Sequence, residues 1–557
     1  MGETDMDENK YYTEHCFQDF RELIDHSAAT FGKKSAFELK NADGTFSFLS
    51  YEELRTRFYR LCNIFLAAGL AGKPIAVSGS NCFSWVLSYL SAATVGIAVP
   101  IDKELHPGDF RDFLTLSECA CVCADSKRLR GLEEVGGLSL PAYDFEEIFT
   151  LTAEGDADSK KAWERTIRPD EMQVLLFTSG TTGSSKGVCL SQFNILSDIH
   201  STVRAVKITE DDKTLSILPL HHTYECTLNC LLLLSKGACI CYCGGLTRIQ
   251  KDMLLYSPTV LVVVPALLAM LSRRLKKTVM AELPDKYKAL FEQNSFGVGM
   301  EELPLLLRKL VRGKVRKALG GRLRLFIVGA AALDTELVKD FEALGIRTLQ
   351  GYGLTECAPL LAGNSDFYLN PDSTGIAMPG IEIKIDEPNE EGVGEIIAKG
   401  GNIMLGYYRD EEATNTVLVD GWFHTGDLGR MDEDGALYIT GRLKNVIVTS
   451  NGKNIYPEEL ENRLSAHEEI AEVLVLPDHS AGEESIKAKI LPNLEYISQR
   501  LGHLPSKEDI AEAIQNAIAE VNKLIPQYKH IKVVEILSNA LEKTTTQKIK
   551  RFGQNTK

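Results

Sequence analysis

Six hydroxyl side chains, three glycines and one lysine lie within ten consecutive residues, 178–187. Glycine lets the backbone approach an anion closely, and backbone amides and hydroxyls can donate hydrogen bonds to it. Lys186 adds a positive charge to the same loop. A Walker A loop has Ser or Thr after its lysine, whereas Gly187 stands here, so ordinary P-loop chemistry is disfavoured. The composition predicts a phosphate-binding loop of another kind.

The same loop contains a competing pattern. Residues 183–187 match the Gly-x-Ser-x-Gly elbow of serine hydrolases, with Ser185 as the nucleophile. That chemistry also needs an acid followed by a histidine, and His424 or His530 could serve on chain order alone. Matches of five residues arise easily by chance, and the flanking glycines suit phosphate better.

Two later segments carry side chains suited to the rest of a nucleotide. In residues 350–356, Tyr352 could stack on a base and Glu356 could hold Mg²⁺ on phosphate oxygens. We expect this segment to be a glycine-rich turn. In residues 421–429, Asp427 is expected in a tight turn, where its carboxylate could accept both hydroxyls of a ribose.

Three basic residues in the last quarter of the chain complete the set. Arg442 and Lys444 flank Leu443, and Lys548 lies in a basic, threonine-rich stretch at residues 543–551. Single basic residues are usually solvated at the surface, so these three gain meaning only beside the other motifs.

Strand and helix patterns alternate around the first motifs. Ser50 and Glu53 form a capping box ahead of a helix with one apolar face. Short apolar runs at residues 174–177, 259–264 and 323–328 predict buried strands. This alternation indicates layers of helices on sheets, an α/β fold.

The pattern changes near residue 440. Beyond it, Pro457 is expected to begin a short helix and Ser506 to cap an amphipathic one. We therefore predict a domain boundary at residues 441–446.

The composition is that of a soluble globular protein with several domains: 557 residues, of which 44% are hydrophobic and 25% charged. A formal net charge of −16 disfavours nonspecific binding to nucleic acid, so no nucleic-acid partner is expected. The acidic, polar N-terminus is unlike a signal peptide. The apolar stretches at residues 85–101 and 258–271 are short and interrupted, which predicts core rather than transmembrane segments; loose membrane contact stays open.

The thirteen cysteines show no paired metal-ligand spacing. Alternation at residues 119–123 and 239–243 fits strands with cysteines on one face. Free buried thiols favour a reducing, cytoplasmic location.

Taken together and in this order, the motifs make the chain resemble the adenylate-forming superfamily, which includes acyl-CoA synthetases, luciferases and peptide-synthetase adenylation domains. The resemblance covers about residues 17–551. It implies an α/β fold with a large N-terminal domain of layered α/β sheets and a small β-barrel part (residues 1–440). A hinge (441–446) and a small, mobile α+β C-terminal domain (447–557) would follow. It also implies ATP and Mg²⁺, an acyl-AMP intermediate and transfer of the acyl group to a thiol.

The same resemblance assigns roles around the nucleotide. It implies that Glu356 binds Mg²⁺ with Thr178 beside it, and that Thr355 contacts the α-phosphate. The segment 219–225, which includes His222, resembles the histidine or aromatic motif of the acyl pocket. The residues assigned to the phosphate loop and the adenine pocket are Thr178, Ser179, Gly180, Thr181, Thr182, Gly183, Lys186, Gly329, Ala330, Ala331, Gln350, Gly351 and Tyr352.

Further roles fall near and beyond the predicted boundary. By resemblance Asp427 binds the ribose with Arg442 beside it, Lys444 is the hinge residue and Gly452 lines the thiol tunnel. Lys548 resembles the lysine that touches the substrate carboxylate and the α-phosphate. Gln547 precedes it, where the family commonly has glycine.

The acid is indicated by weaker signals. The acyl-pocket motif has no aspartate that could hold an α-amine, which disfavours an amino-acid substrate. Residues 305–325 and 450–455 look most like bacterial long-chain fatty acyl-CoA synthetases. We therefore expect a medium- or long-chain fatty acid and CoA. Three alternatives remain open: an acyl-carrier-protein ligase, a ligase of aryl or short acids, and a non-catalytic acyl-nucleotide binder.

Overall fold

The computed structural model describes residues 10–41, 43–136, 140–178, 186–292, 296–448, 453–478, 485–543, 549 and 551. These residues form two compact units. The first contains the described parts of 10–383 and 398–423, and the second those of 384–397 and 424–551. The hinge at 441–446 stays a prediction.

Strands and helices alternate along most of the described chain. The strands are β1 (Ser35–Lys40), β2 (Phe46–Ser50), β3 (Pro74–Ser78), β4 (Ile97–Pro100), β5 (Cys121–Ala124), β6 (Ala142–Asp144), β7 (Val174–Thr178), β8 (Lys186–Leu190), β9 (Lys213–Ser216), β10 (Cys239–Tyr242), β11 (Val260–Val263), β12 (Leu325–Val328), β13 (Arg347–Gly353), β14 (Leu360–Gly363), β15 (Ile376–Ala377), β16 (Ile381–Asp386), β17 (Gly394–Gly400), β18 (Gly406–Tyr407), β19 (Leu418–Val419), β20 (Trp422–Met431), β21 (Leu437–Arg442), β22 (Ile447–Val448), β23 (Asn454–Ile455), β24 (Ile470–Asp478), β25 (Ser485–Pro492) and β26 (Ile531–Ile536).

The α-helices are α1 (Phe20–Phe31), α2 (Tyr51–Ala67), α3 (Phe83–Val95), α4 (Pro107–Leu116), α5 (Ser126–Glu134), α6 (Phe145–Leu151), α7 (Lys160–Trp163), α8 (Gln192–Ala205), α9 (Leu232–Ser235), α10 (Ile249–Tyr256), α11 (Pro265–Glu282), α12 (Asp285–Glu292), α13 (Phe296–Glu302), α14 (Leu305–Ala318), α15 (Thr335–Ala343), α16 (Glu411–Val417), α17 (Pro457–Ser465), α18 (Leu494–Leu501) and α19 (Lys507–Lys523). A π-helix spans Tyr224–Leu231, and short 3-10 helices span Leu246–Arg248, Thr355–Cys357, Leu443–Asn445 and Gln527–Lys529.

The first unit contains two large sheets whose central strands are parallel. One has the order β15-β14-β13-β12-β11-β9-β10-β1-β2 and the other β18-β8-β7-β4-β3-β5-β6. The apolar strands β11 and β12 pair in parallel, as do β12 and β13. Parallel strands of this kind need helical crossovers on both faces, which confirms the predicted α/β class.

Local signals in the first unit place its helices as expected. Ser50 and Glu53 form the predicted capping box at the start of α2. Every residue of α3 is buried, so the apolar stretch around it is core. Within the described ranges, no helix is both long and apolar enough to cross a membrane. In β5, Cys121 and Cys123 are fully buried, as the alternation predicted.

The second unit contains a sheet of the order β24-β25-β26, against which α17 and α19 pack their apolar faces. Pro457 occupies the first turn of α17 and Ser506 caps α19, both as predicted. Asp509 completes a capping box with Ser506. In the same unit β20 pairs with β21 in antiparallel register.

Candidate active site

The two ends of the phosphate-loop motif are held by a pair of antiparallel strands. Thr178 ends β7 and lies opposite Lys186, which begins β8. The Thr178 hydroxyl donates to the Lys186 carbonyl over 3.4 Å. Between them, Ser179, Gly180, Thr181, Thr182 and Gly183 lie outside the described residues. The strand pair therefore fixes where the loop starts and where its lysine emerges.

Tyr407 holds the Lys186 ammonium, whose Nζ lies 4.4 Å from the centroid of the tyrosine ring. This distance is within the range of a cation–π contact. Tyr407 belongs to β18, which pairs with β8 so that Tyr407 stands opposite Val188. The strand that carries the lysine thus also positions the aromatic ring that receives it.

The hydroxyl of Tyr407 donates a hydrogen bond to Glu356 Oε1 over 3.0 Å. Burial, followed by the neighbouring Glu356 charge, raises the pKa of Tyr407 above its usual value. The phenol therefore stays protonated and keeps donating to the carboxylate. One side chain contacts both the predicted phosphate-binding cation and the predicted Mg²⁺ ligand.

The turn that carries Glu356 is fixed through its backbone. Thr355 and Glu356 lie in the 3-10 helix, and the Glu356 carbonyl accepts from the amide of Met404 over 2.8 Å. Asn402 Nδ2 donates to the carbonyls of Cys357 and Leu360 over 2.8 and 2.7 Å. Carboxylate oxygens are hard ligands of the kind that Mg²⁺ prefers, so the chemistry of Glu356 fits that ion.

The glycine-rich turn expected at residues 350–356 is wrong for residues 350–353, because the strand continues through them. β13 extends to Gly353 and pairs antiparallel with β14, with Gly351 opposite Gly363. Glycine is required at Gly353, since a Cβ there would lie 1.8 Å from the Pro359 carbonyl oxygen. Gln350, Gly351 and Tyr352 are therefore strand residues, and Gln350 lies opposite Val328 of β12.

The other half of the predicted adenine pocket follows β12 directly. Gly329, Ala330 and Ala331 leave the strand there, and Ala330 adopts a left-handed conformation with φ 71°. Tyr224 contacts the same strand end, since its hydroxyl lies 3.0 Å from the Ile327 carbonyl and 3.1 Å from that of Val263. Tyr224 thus links the predicted acyl-pocket segment to the predicted adenine segment.

The acyl-pocket segment contains several titratable groups. His222 lies just before the π-helix, and its ring centroid is 4.0 Å from that of His221. His221 Nε2 is 3.7 Å from Asp102 Oδ1, and burial lowers the pKa of His221 well below its usual range.

Glu225, one turn further on, is fully buried. Ser216 Oγ and Asn229 Nδ2 donate to its Oε1 over 2.5 and 2.7 Å. Despite these bonds, burial raises the pKa of Glu225 to about 7. Its protonation state therefore changes near neutral pH.

In the second unit, Asp427 and Arg442 lie opposite each other on β20 and β21. Arg442 Nε is 2.9 Å from Asp427 Oδ1, and Asp427 is buried. The predicted tight turn at Asp427 is wrong, because β20 runs unbroken from Trp422 to Met431 and β21 supplies its hydrogen-bonding partner. Asp427 and Arg442 are nevertheless adjacent, as predicted.

The remaining predicted residues of the second unit are only partly described. Lys444 is exposed in a 3-10 helix directly after β21. Gly452 and Lys548 lie outside the described residues. Beside Lys548, Lys543 and Ile549 form an antiparallel bridge, so the two ends of that segment are close together. His424, considered above for a hydrolase, is hydrogen-bonded to Glu395 over 2.9 Å.

Sequence reasoning missed Tyr407, and it assigned no role of their own to Tyr224 and Glu225. Tyr407 stands in a short run of two tyrosines with no motif of its own. Tyr224 and Glu225 lie in the predicted acyl-pocket segment 219–225, so an aromatic ring beside a carboxyl was the available signal.

Comparison with known proteins identifies the family. The family described as AMP-binding enzyme matches residues 24–408, and the one described as AMP-binding enzyme C-terminal domain matches residues 444–553. The chain belongs to the AMP-binding enzyme family.

Individual relatives are similar over most of the chain. A long-chain-fatty-acid–CoA ligase of Mycobacterium tuberculosis is 26% identical over 522 residues, 86% of each chain. Long-chain-fatty-acid–CoA ligase 1 of Homo sapiens is 31% identical over 373 residues, 63% of this chain and 53% of that one. The ATP-bound structure of MatB from Rhodopseudomonas palustris has a TM-score of 0.74 at 23% identity, with 96% and 97% of the two chains covered, and shows the shared fold.

These comparisons confirm the predicted superfamily, the α/β fold and the class of AMP-forming acid–thiol ligases. The roles of individual residues stay predictions.

Proposed function

We propose that this protein is an ATP-dependent fatty acyl-CoA synthetase that works in two half-reactions. A carboxylate oxygen of a medium- or long-chain fatty acid attacks the α-phosphorus of ATP, which forms acyl-AMP and releases pyrophosphate. The thiolate of CoA then attacks the acyl carbon, which forms the thioester and releases AMP.

The arrangement around Tyr407 carries this proposal. Its ring contacts the Lys186 ammonium at 4.4 Å and its hydroxyl contacts Glu356 at 3.0 Å. A cation suited to phosphate and a carboxylate suited to a metal are therefore presented side by side. We assign Lys186 to the β- and γ-phosphates, Glu356 with Thr178 to Mg²⁺, and Thr355 to the α-phosphate. When bound, that ion would neutralise the charge that develops on the departing pyrophosphate.

The first half-reaction brings two anions together. Two unit charges about 4 Å apart repel by roughly 4 kcal/mol at an effective dielectric constant near 20. A lysine that contacts both the carboxylate and the α-phosphate removes this repulsion and stabilises the transition state. We assign this role to Lys548, on the strength of its motif.

The proposal extends to the other predicted residues. The Asp427–Arg442 pair supports ribose binding, since the arginine lies 2.9 Å from the carboxylate and orients it. The remaining assignments are adenine binding by Gly329, Ala330, Ala331, Gln350, Gly351 and Tyr352, acyl-pocket binding by His222, the hinge at Lys444 and the thiol tunnel at Gly452.

The proposed acid and thiol come from the relatives that are named long-chain-fatty-acid–CoA ligases. A long acyl chain also suits burial, since each methylene removed from water contributes about 0.8 kcal/mol. An acyl carrier protein presents the same phosphopantetheine thiol as CoA and is the alternative acceptor. All thirteen cysteines are free, which supports a cytoplasmic location.

The experiment measures acid-dependent release of AMP and pyrophosphate from ATP, with acids from acetate to long chains and aromatics. CoA and an acyl carrier protein are supplied in separate reactions. We expect AMP release with long-chain acids and CoA. Turnover only with aromatic or short acids would refute the fatty-acid assignment, and acyl-AMP that reacts only with the carrier protein would refute the CoA assignment. Absence of ATP consumption with every acid would contradict the enzymatic proposal itself.

A further inference from the structure

The outer face of helix α14 exposes leucines. Leu305, Leu306 and Leu310 are 66%, 74% and 56% exposed, whereas Val311 and Val315 are buried. At 100° per residue, the exposed leucines and the buried valines fall on different sides of the helix. The helix is therefore anchored by its valines and presents its leucines outward.

Helix α14 is also strongly basic, and by the same spacing Lys309, Arg316 and Lys317 fall on the leucine side. Helix α14 contains six Lys and Arg residues and no Asp or Glu, in a chain whose net charge is −16. The basic residues of α14 that are exposed are Lys309, Arg312, Lys314, Arg316 and Lys317. Basic charge is thus concentrated here, against the sign of the protein as a whole.

The neighbouring helices α10 and α11 also expose leucines and basic residues. Helices α10 and α11 both pack against α14. Helix α11 exposes Arg273, Arg274 and Lys277, and α10 exposes Leu254 and Leu255. Across residues 265–318 there are twelve Lys and Arg against five Asp and Glu, among them the exposed Glu301 and Glu302 at the end of α13. We call α14 with these side chains of α10 and α11 the basic–leucine surface.

We propose that the basic–leucine surface docks the protein on the surface of an anionic lipid bilayer. Leucines of an amphipathic helix bury in the boundary between headgroups and acyl chains, while lysines and arginines contact the anionic headgroups. A second copy of this chain is a poorer occupant, because two identical basic surfaces would face each other in a two-fold contact. Nucleic acid would neutralise the charge but would leave the leucines without an apolar partner.

The test measures flotation of the full chain with vesicles of phosphatidylglycerol and phosphatidylcholine, and with vesicles of phosphatidylcholine alone. No acid, ATP or CoA is added, so the result does not depend on the proposed enzymatic function. We expect binding to the anionic vesicles that weakens as salt is raised from 0.1 to 0.5 M. Binding to phosphatidylcholine alone should be at least about tenfold weaker.

Two variants separate the contributions of charge and leucine. Each basic residue near an anionic surface contributes about fivefold, so the triple variant Lys309→Gln, Arg316→Gln, Lys317→Gln should bind about 100-fold more weakly. The variant Leu305→Ser, Leu306→Ser, Leu310→Ser should lose at least about tenfold. These side chains are exposed, so the thermal melting temperature should stay unchanged.

The matched control alters equally exposed residues in the second unit. Leu504 and Leu524 are 89% and 73% exposed, and Lys507 and Lys523 are exposed nearby. Serine at both leucines and glutamine at both lysines should leave vesicle binding unchanged. The proposal is overturned if the protein does not float with anionic vesicles, or binds both vesicle types equally. It is also overturned if the α14 variants bind like the wild type, or if their effect is loss of a dimer that forms without lipid.

Discussion

Replacing Tyr407 by phenylalanine tests the arrangement on which the proposed chemistry depends. The substitution removes the hydroxyl that donates to Glu356 Oε1 over 3.0 Å and keeps the ring that contacts Lys186. A hydrogen bond to a charged group contributes about 1.5–3 kcal/mol, or about 10- to 100-fold in an equilibrium constant. Tyr407 and Glu356 are only partly buried, so water replaces part of the lost hydrogen bond. We therefore expect the smaller effect, about 1.5 kcal/mol or tenfold.

The assay is pyrophosphate exchange with ATP as a function of Mg²⁺ concentration, at fixed fatty acid and ATP. In Tyr407→Phe the half-saturating Mg²⁺ concentration should rise about tenfold, because the metal-binding carboxylate is less well oriented. Tyr407→Leu also removes the ring, so it should in addition weaken ATP binding at saturating Mg²⁺. On a Glu356→Gln background, Tyr407→Phe should have little further effect.

The chain offers a closely matched control in Tyr438. Its hydroxyl donates to Asp432 over 3.0 Å, and the Arg430 guanidinium lies 4.1 Å from its ring centroid. Tyr438→Phe removes the same kind of bond at a site with no proposed catalytic role. If Tyr407→Phe shows the same Mg²⁺ dependence as the wild type, or if Tyr438→Phe changes it as much, the assignment of Glu356 to the metal is refuted.

Three further predictions concern the buried carboxyl of Glu225, the C-terminal Lys548, and Gly353, which lies close to the Pro359 carbonyl. Burial raises the pKa of Glu225 from 4.5 to about 7, so the folded protein keeps a proton that the unfolded chain loses between those values, and this stabilisation is lost as pH rises through 7. The stabilisation from protonated Glu225 amounts to up to about 3 kcal/mol. In Glu225→Gln the melting temperature should therefore depend less on pH between about 5 and 8 than in the wild type. Equal pH dependence in the variant and the wild type would contradict this. Lys548→Ala should slow acyl-AMP formation at least about 100-fold, while added acyl-AMP should still react with CoA. Lys532 is exposed, and Lys532→Ala should change neither rate. A normal rate of acyl-AMP formation in Lys548→Ala would remove Lys548 from the mechanism. Gly353→Ala should destabilise the protein by at least about 2 kcal/mol, because the new Cβ would overlap the Pro359 carbonyl. As a control, Gly313→Ala in an exposed helix should stabilise the protein by about 0.5–1 kcal/mol. Equal melting temperatures of Gly353→Ala and the wild type would refute the close approach.

Elements whose signals lie within one or two turns of chain were predicted correctly. The capping boxes that begin at Ser50 and Ser506 start α2 and α19, and Pro457 begins α17. Each depends on side chains that reach backbone groups only a few residues away. For such elements the local sequence contains all the partners that decide the structure.

The two wrong turn predictions have a common physical cause. Glycines at Gly351 and Gly426 are typical of turns, yet both lie in strands. The partner strands β14 and β21 come later in the chain and supply the hydrogen bonds that keep these segments extended. At the end of β13, Gly353 allows close approach of the Pro359 carbonyl, which the local pattern does not distinguish from a turn.

Tyr407 could not be predicted because its place depends on sheet pairing. It lies 51 residues after Glu356 and in a strand of two residues. Its amide donates to the Thr414 hydroxyl over 2.8 Å, and its strand pairs with β8, which begins at Lys186. Because the same pairing orients the Tyr407 ring, disrupting β18 should separate Lys186 from Glu356 without changing either residue. Thr414→Val, which removes the acceptor, should therefore shift the Mg²⁺ dependence in the same direction as Tyr407→Phe, by a smaller factor of about five. An unchanged Mg²⁺ dependence in that variant would show that Tyr407 is held by other contacts.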